Sequence, residues 1–318
     1  MYYVGVDGGG TKTATVACDR DGRVVGRSLQ GGSNPNFVGE EPALAHMAAG
    51  IREATAGIDG AAVSRVALCV AGLSRIRTKA ADRLGLAPSA LTFASDTLST
   101  FYGALGKESG VVVLAGTGSF AMGAAPGGSP VSIGGWGPIV GDDGSGQRMA
   151  ALAIRAAARA FDGIGPPTLL SDKLLAHYKI DNLHQLKSIM ALDNVSKLTY
   201  AVREAADEGD AAALAIVRDC ARELADLASG LLRRIGMDGR PCEVALAGGL
   251  WKLGERLKLA FAERMGELHP QARVVPAAFP PSIGAVLLAM RADGIRWTES
   301  LLAAIQSTMT EEEEAPHA

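Results

Sequence analysis

Asp7-Gly8-Gly9-Gly10-Thr11-Lys12 separates two runs of β-forming residues, Tyr2 to Val6 and Thr13 to Cys18. The reading of the fold turns on this stretch. Glycines let the backbone turn tightly and let a ligand come close to it. Consecutive N–H groups in such a turn form a concave nest for an anion. Thr11 adds a hydroxyl donor and Lys12 a positive charge. Asp7, at the end of the first strand, is placed to hold Mg²⁺, through water because that ion keeps much of its hydration shell. The stretch is not a Walker A loop, since Thr11 separates Gly10 from Lys12 and a strand follows. Nor is it the GxGxxG turn of a dinucleotide fold, which opens a helix. A glycine-rich hairpin without a ligand remains the plain alternative for this loop alone.

Working outward, the same pattern occurs twice. Asp19-Arg20-Asp21-Gly22 is a hairpin turn into a third strand, Arg23 to Leu29. An amphipathic helix is expected over 41–56, a buried strand over Val66 to Val70 and a helix over 75–84. A short strand, Leu91 to Ala94, and a helix over 97–105 follow. After the tip Gly106-Lys107-Glu108-Ser109-Gly110 the order restarts with Val111 to Leu114, Ala115-Gly116-Thr117-Gly118-Ser119 and Phe120 to Ala124. A hairpin turn at Ala125-Pro126-Gly127-Gly128 and a mostly helical stretch over 144–236 come next. Strands at 243–247 and 273–275 alternate with helices at 251–265 and 282–292. Val66 to Leu73 resembles Val244 to Leu250, each a buried strand ending in a small-residue turn. Two matched pairs in one order make an internal repeat. The chain reads as two α/β domains of βββαβα type facing a central cleft, where ligands commonly bind. Boundaries are set at 1–107 and 108–285, with a C-terminal helix over 286–305 packing back on the first domain. The acidic end, 309–318, is expected to be disordered.

The totals exclude several classes. The chain has 318 residues, is 20% charged and carries a formal net charge of −3. No clustered basic face marks a nucleic-acid partner. Apolar runs such as 150–161 are broken by Arg155 and Arg159, so no membrane span is expected. Met1 leads directly into a strand, and a cytoplasmic protein is expected. Cys18, Cys69, Cys220 and Cys242 lie far apart and read as buried thiols. His46, His177, His184, His269 and His317 show no ligand spacing.

Other residues carry candidate chemistry. Asp96 follows the strand Leu91 to Ala94, and ligands of α/β sheets gather at the C-terminal ends of strands. It reads as a general base, or else Ser95 or Asp96 simply caps the next helix. Asp142 and Asp143 lie in a glycine-rich loop before a helix near 145, where either serves equally as a cap or a dipole partner. Trp136 lies between glycines, as an apolar wall for a ligand or as a hydrophobic plug. Gly31-Gly32-Ser33-Asn34-Pro35-Asn36 is a turn by composition. Gly248, Gly249 and Trp251 sit at a strand-to-helix turn where backbone can pass close to an adenine or ribose, or where strand and helix pack tightly.

Asp7 to Thr11 together with Gly116 to Ser119 resemble the two phosphate loops of the sugar kinase/Hsp70/actin superfamily. Gly134-Gly135-Trp136-Gly137 followed by Gly141-Asp142-Asp143-Gly144-Ser145 resembles the N-acetylglucosamine and glucosamine kinase branch of the BadF/BadG/BcrA/BcrD ATPase family. Leu246 to Lys252 fits that branch's adenosine-side turn, and the likeness covers most of residues 3–290.

The resemblance implies two ribonuclease H-like, actin-like ATPase domains that close over their ligands. It implies an ATP-dependent amino-sugar kinase using Mg²⁺, acting on the 6-hydroxyl of N-acetylglucosamine and assembling as a homodimer. Glucosamine and N-acetylmuramate are the competing acceptors. Gly9, Gly10, Thr11, Lys12, Gly116, Thr117, Gly118 and Ser119 would hold the ATP phosphates, and Gly248, Gly249 and Trp251 would line the adenosine. Asp96 would act as base, with Asn34, Gly135, Trp136, Gly137 and Asp142 around the sugar. Asn36 competes with Asn34, and the role of Asp143 is open. Relatives that activate a CoA-ester dehydratase or reductase hold a [4Fe–4S] cluster on closely placed cysteines, and this chain has no such pair.

Overall fold

The computed structural model describes residues 1–186 and 198–313. It divides into two compact units, one of residues 1–108 with 277–318 and one of residues 109–276.

The first unit is built on a five-stranded sheet. Its strands are β1 (Tyr2–Gly8), β2 (Lys12–Asp19), β3 (Val24–Gly31), β4 (Val63–Val70) and β5 (Leu91–Ala94), in spatial order β3-β2-β1-β4-β5. β1–β2 and β2–β3 are antiparallel, while β1–β4 and β4–β5 are parallel. The Asp19–Gly22 turn forms as read. Asp19 Oδ1 accepts from Asp21 N at 3.0 Å and Arg23 N at 2.9 Å, and Gly22 takes φ 91°. Val4, Val6, Val66 and Leu68 are fully buried. That burial fits a central parallel pair, whose strands read as apolar runs instead of alternating.

The helix Glu40–Ala54 packs Leu44 and Met47 against Val4, Val6 and Ala17 in one core cluster. The helix Pro281–Ala292 packs on β1 at Gly5, where an ideal Cβ would lie 2.3 Å from Val286 N. It also crosses the helix Asp96–Leu105 at two glycines. A Cβ on Gly284 would fall 1.8 Å from the Ser99 carbonyl, and one on Gly103 would fall 2.6 Å from the Pro280 carbonyl.

These contacts correct the expected boundary. The chain returns to the first unit at Ala277, not after 285. The returning segment is two helices: Pro281–Ala292, close to the helix expected over 282–292, and Glu299–Glu313, where the C-terminal helix was expected over 286–305. The second runs through residues expected to be disordered from 309 on, because Leu301 and Ile305 are buried and Val24 N donates to Thr308 Oγ1 at 3.0 Å. The rest of that tail, 314–318, lies outside the described residues.

The second unit repeats the topology. Its strands are β6 (Gly110–Ala115), β7 (Ser119–Ala124), β8 (Val131–Gly134), β9 (Cys242–Ala247) and β10 (Ala272–Pro276), in order β10-β9-β6-β7-β8. β6–β7 and β7–β8 are antiparallel, and β6–β9 and β9–β10 are parallel. β8 is an element that the pattern reading lacked, since four residues of mixed polarity give no period. Helices Gly146–Phe161, Leu170–Tyr178, Thr199–Asp207 and Ala211–Arg234 occupy most of the described part of the expected helical stretch, of which 187–197 lies outside the described residues. The helix expected over 251–265 is broken at Gly254, φ 148°, into a short 3₁₀ turn, Gly249–Leu253, and a helix, Glu255–Leu268. The observed class is the expected one: α/β, with two βββαβα units.

Candidate active site

In the first unit, the loop from Gly8 to Lys12 is stitched to the segment after β3. Gly9 N donates to Lys12 O at 3.0 Å, and Gly9 O accepts from Ser33 N at 2.9 Å and Asn34 N at 3.0 Å. Gly32 lies against this loop, where a Cβ would come 2.2 Å from Gly10 O. Gly10, Thr11 and Lys12 are exposed while Asn34 is 8% exposed. Asn34 Oδ1 accepts from Asn36 N at 3.0 Å and starts the turn Pro35–Val38. Asn36 is exposed and its Oδ1 lies 3.4 Å from Arg75 Nη1. Asn34 is therefore the residue bonded to the glycine loop, through its main chain, and buried there, whereas Asn36 is exposed.

Asp96 opens the helix Asp96–Leu105, but Ser95 does the capping. Ser95 Oγ accepts from Leu98 N at 3.2 Å. The Asp96 carboxylate is half-buried, and its Oδ1 accepts from Thr97 N at 3.0 Å. Burial raises its pKa above the ordinary carboxylate value, against the lowering effect of the Thr97 amide. A base poised nearer neutrality is better suited to take a proton.

Asp7, at the end of β1, is the second acid. Its pKa is raised to about 6: burial is the main cause, the Ser99 hydrogen bond opposes it, the Asp96 charge adds to it and Lys12 pulls it down. Ser99 Oγ lies 2.9 Å from Asp7 Oδ1. Across the parallel register, the Cys69 thiol is also pushed up, by burial first and then by the Asp7 charge. Among the described residues no group of three or more His, Cys, Asp and Glu side chains gathers around a common point. Asp7 thus fits Mg²⁺ only in the mode of one carboxylate plus water and substrate phosphates. A buried carboxylate lifted to about 6 is an anion short of a counter-charge, which is the condition that a cation relieves.

In the second unit the equivalent loop is held from behind. Gly116 N donates to Gly118 O at 2.9 Å. Gly146 N and Gln147 N donate to the carbonyls of Gly116 and Thr117 at 2.8 and 3.1 Å. Ser119 Oγ donates to Asp143 O at 2.7 Å, and Ser145 caps the helix through Arg148 N at 3.2 Å. Neither Asp142 nor Asp143 is the cap. Asp142 takes φ 56° and is 8% exposed, with its carboxylate against Gly118. Among the described residues that carboxylate has only a 3.5 Å contact from Ser119 N, too long to satisfy it.

Gly135 N donates to Ser119 O at 3.0 Å, so the Gly135-Trp136-Gly137 turn hangs from this loop. Gly135 and Gly137 take φ 70° and 85°. Trp136 is 76% exposed, which removes the plug reading. Gly248, φ 101°, is pressed on β6, and a Cβ there would lie 2.3 Å from Ala115 O. Gly249 faces open space.

Trp251 does not match its expected place. It is 3% exposed, stacks edge-on against Phe261 and donates from Nε1 to Val113 O at 3.2 Å. The indole is core, offering no face to an adenine, because the 3₁₀ turn carries it behind β6. Two supporting residues escaped the sequence reading. Glu223 accepts from Gly144 N at 2.7 Å and pairs with Arg148 at 2.8 Å, holding the Asp142 loop from a distant helix. Ser99 has only its spacing of three from Asp96 as a signal.

The BadF/BadG/BcrA/BcrD ATPase family matches residues 4–289. An N-acetyl-D-glucosamine kinase of Dictyostelium discoideum is 29% identical over 91% of this chain and 97% of its own. An N-acetylmuramic acid/N-acetylglucosamine kinase of Clostridium acetobutylicum is 27% identical over 91% and 98%. The crystal structure of a Chromobacterium violaceum protein assigned as an N-acetylglucosamine kinase superposes with a TM-score of 0.67 at 26% identity, covering 91% of this chain and 98% of that one. A match over nearly the whole repeat, with both glycine loops at strand ends, places the chain in a family: it belongs to the BadF/BadG/BcrA/BcrD ATPases.

Proposed function

We propose that the protein is an ATP-dependent amino-sugar kinase that phosphorylates the 6-hydroxyl of N-acetylglucosamine, with Asp96 as general base. The observation that carries the reading is Asp96 itself. It stands at a strand's C-terminal end, relieved of capping by Ser95, lifted in pKa by burial, and linked through Ser99 to Asp7. Both full-length relatives described above are named as N-acetylglucosamine kinases. The second of them is also named for N-acetylmuramic acid, which keeps that sugar as the alternative acceptor.

Phosphoryl transfer needs little covalent help from protein; positioning and charge neutralisation do most of the work. In this reading the loops Gly9 to Lys12 and Gly116 to Ser119 each hold phosphate oxygens, through donors other than the Gly9 and Gly116 amides, which are bonded within their own loops. Asp7 carries Mg²⁺ through water, and the ion when bound neutralises charge on the phosphates. Asp96 accepts the proton of the attacking hydroxyl. Asn34 supplies an amide to the sugar, Asp142 accepts hydrogen bonds from two of its hydroxyls, and Trp136 with its flanking glycines covers an apolar face. Gly248 and Gly249 leave room for the adenosine. Among the described residues no helix is long and apolar enough to cross a membrane, and the same reading has the enzyme as a cytoplasmic homodimer.

The test is ADP release over N-acetylglucosamine, glucosamine, N-acetylmannosamine, N-acetylmuramate and glucose. N-acetylglucosamine should give the highest kcat/KM; ADP release unchanged by every sugar sinks the reading. Asp96→Asn should lower kcat by at least ~10² with ATP affinity nearly kept, the scale of general-base loss. Full turnover in that variant removes Asp96 as base.

A further inference from the structure

We infer that Ser99 is a positioning residue, orienting the Asp7 carboxylate toward the metal and locking it to the helix that presents Asp96. The inference rests on the reading of Asp7 as the metal-side carboxylate.

Ser99 is fully buried. Its Oγ lies 2.9 Å from Asp7 Oδ1 and 2.9 Å from the Asp96 carbonyl oxygen. The hydroxyl carries one proton, so these two acceptors are not equal claims on it. The Asp96 carbonyl has a second donor, Thr100 Oγ1, also at 2.9 Å. The Asp7 carboxylate has none: among the described residues Ser99 is its sole hydrogen-bond partner. The carboxylate, being charged in the working enzyme, is also the stronger acceptor. The proton therefore belongs to Asp7 Oδ1. That bond fixes the carboxylate rotation and leaves Oδ2 for a metal-bound water.

The seat of Ser99 has no slack. Its own carbonyl meets the Cα of Gly284, where a Cβ would come within 1.8 Å. The helix bearing Gly284 is pressed against β1 at Gly5, two residues before Asp7. One side chain thus ties together β1, which carries Asp7, and the helix that carries Asp96. Partners one shell out from a metal commonly change its affinity by 10–100-fold.

The experiment uses the full chain saturated with ADP and titrated with Mn²⁺, bound ion being read by electron paramagnetic resonance. Ser99→Ala should weaken Mn²⁺ at least tenfold, leaving metal-free ADP affinity and sugar KM within twofold. Ser99→Cys, which keeps a weak donor on a slightly larger side chain, should fall between Ser99→Ala and the wild type. Thr100→Ala, which removes only the competing bond to the Asp96 carbonyl, should bind Mn²⁺ as the wild type does. Thermal melts without metal establish that each variant is folded. Wild-type Mn²⁺ affinity in Ser99→Ala overturns the inference, and so does equal weakening in Thr100→Ala, which would assign the effect to helix packing. Asp7→Asn separates the two levels. If it weakens Mn²⁺ while Ser99→Ala does not, only the role of Ser99 falls. If Asp7→Asn also binds Mn²⁺ normally, the metal reading of Asp7 falls and takes this inference with it.

Discussion

The Asp7 carboxylate is kept at a cost to folding. Its folded pKa of about 6 lies above its ordinary value near 3.8. Between those two values the folded state binds more protons than the unfolded state, so stability falls as pH rises through that window. Above about 6 the penalty is complete, and a shift of this size corresponds to roughly 2–3 kcal/mol. Asp7→Asn should therefore be more stable than the wild type by about that amount at pH 7.5 without metal, and nearly equal to it at pH 4. Urea midpoints at the two pH values, in a chelator, measure this. An Asn variant with no gain at pH 7.5 would show that the charge is better compensated than its burial implies. Asp96, also raised by burial, stands beside it. Two carboxylates under such strain in one corner of a sheet are what a site for a cationic or proton-bearing ligand looks like.

At the scale of elements, the site depends on a crossing of two helices at glycines. Gly103 and Gly284 let the helices Asp96–Leu105 and Pro281–Ala292 meet backbone to backbone. Gly284→Ala would drive a methyl into the Ser99 carbonyl, with only main chain to give way. A loss of about 3 kcal/mol or more is expected, read from chemical denaturation, together with a fall in kcat because Asp96 rides on the displaced helix. Loss of stability below ~1 kcal/mol would mean that the helices separate freely. The strand content of both units was legible because β1, β4, β6 and β9 each contain an unbroken apolar run, at 2–6, 66–70, 111–115 and 244–247. Strand β8 was not, because Val131–Gly134 gains its strand character only by pairing with β7.

At the scale of the molecule, the first unit is discontinuous in the chain. Its sheet comes from residues 1–108 and one of its covering helices from beyond Ala277. A chain ending at Pro276 should leave β1 bare on one face, while the second unit keeps its own core around Met149, Leu224 and Phe261. Limited proteolysis with mass spectrometry should then find cuts throughout 1–108 and protection over the described part of 109–276. Protection of 1–108 in the shortened chain would show that the returning helices are dispensable to the fold.

What the amino-acid sequence determined by itself is what local chemistry controls. Strand–glycine turn–strand, repeated at Asp7 and at Gly116, follows from apolar runs and from turns that need glycine. So does the place of Asp96 at the end of a short strand. Tertiary structure decided everything that needed a distant partner. Ser99 meets Asp7 across 92 residues, Glu223 holds Gly144 across 79, and Trp251 reaches Val113 across 138 and so turns into the core. Sequence pattern reports the periodicity of a segment against a generic core. It carries no term for which backbone oxygen or carboxylate a side chain will find there, and the opening loop's companions, above all Ser99, are of that second kind.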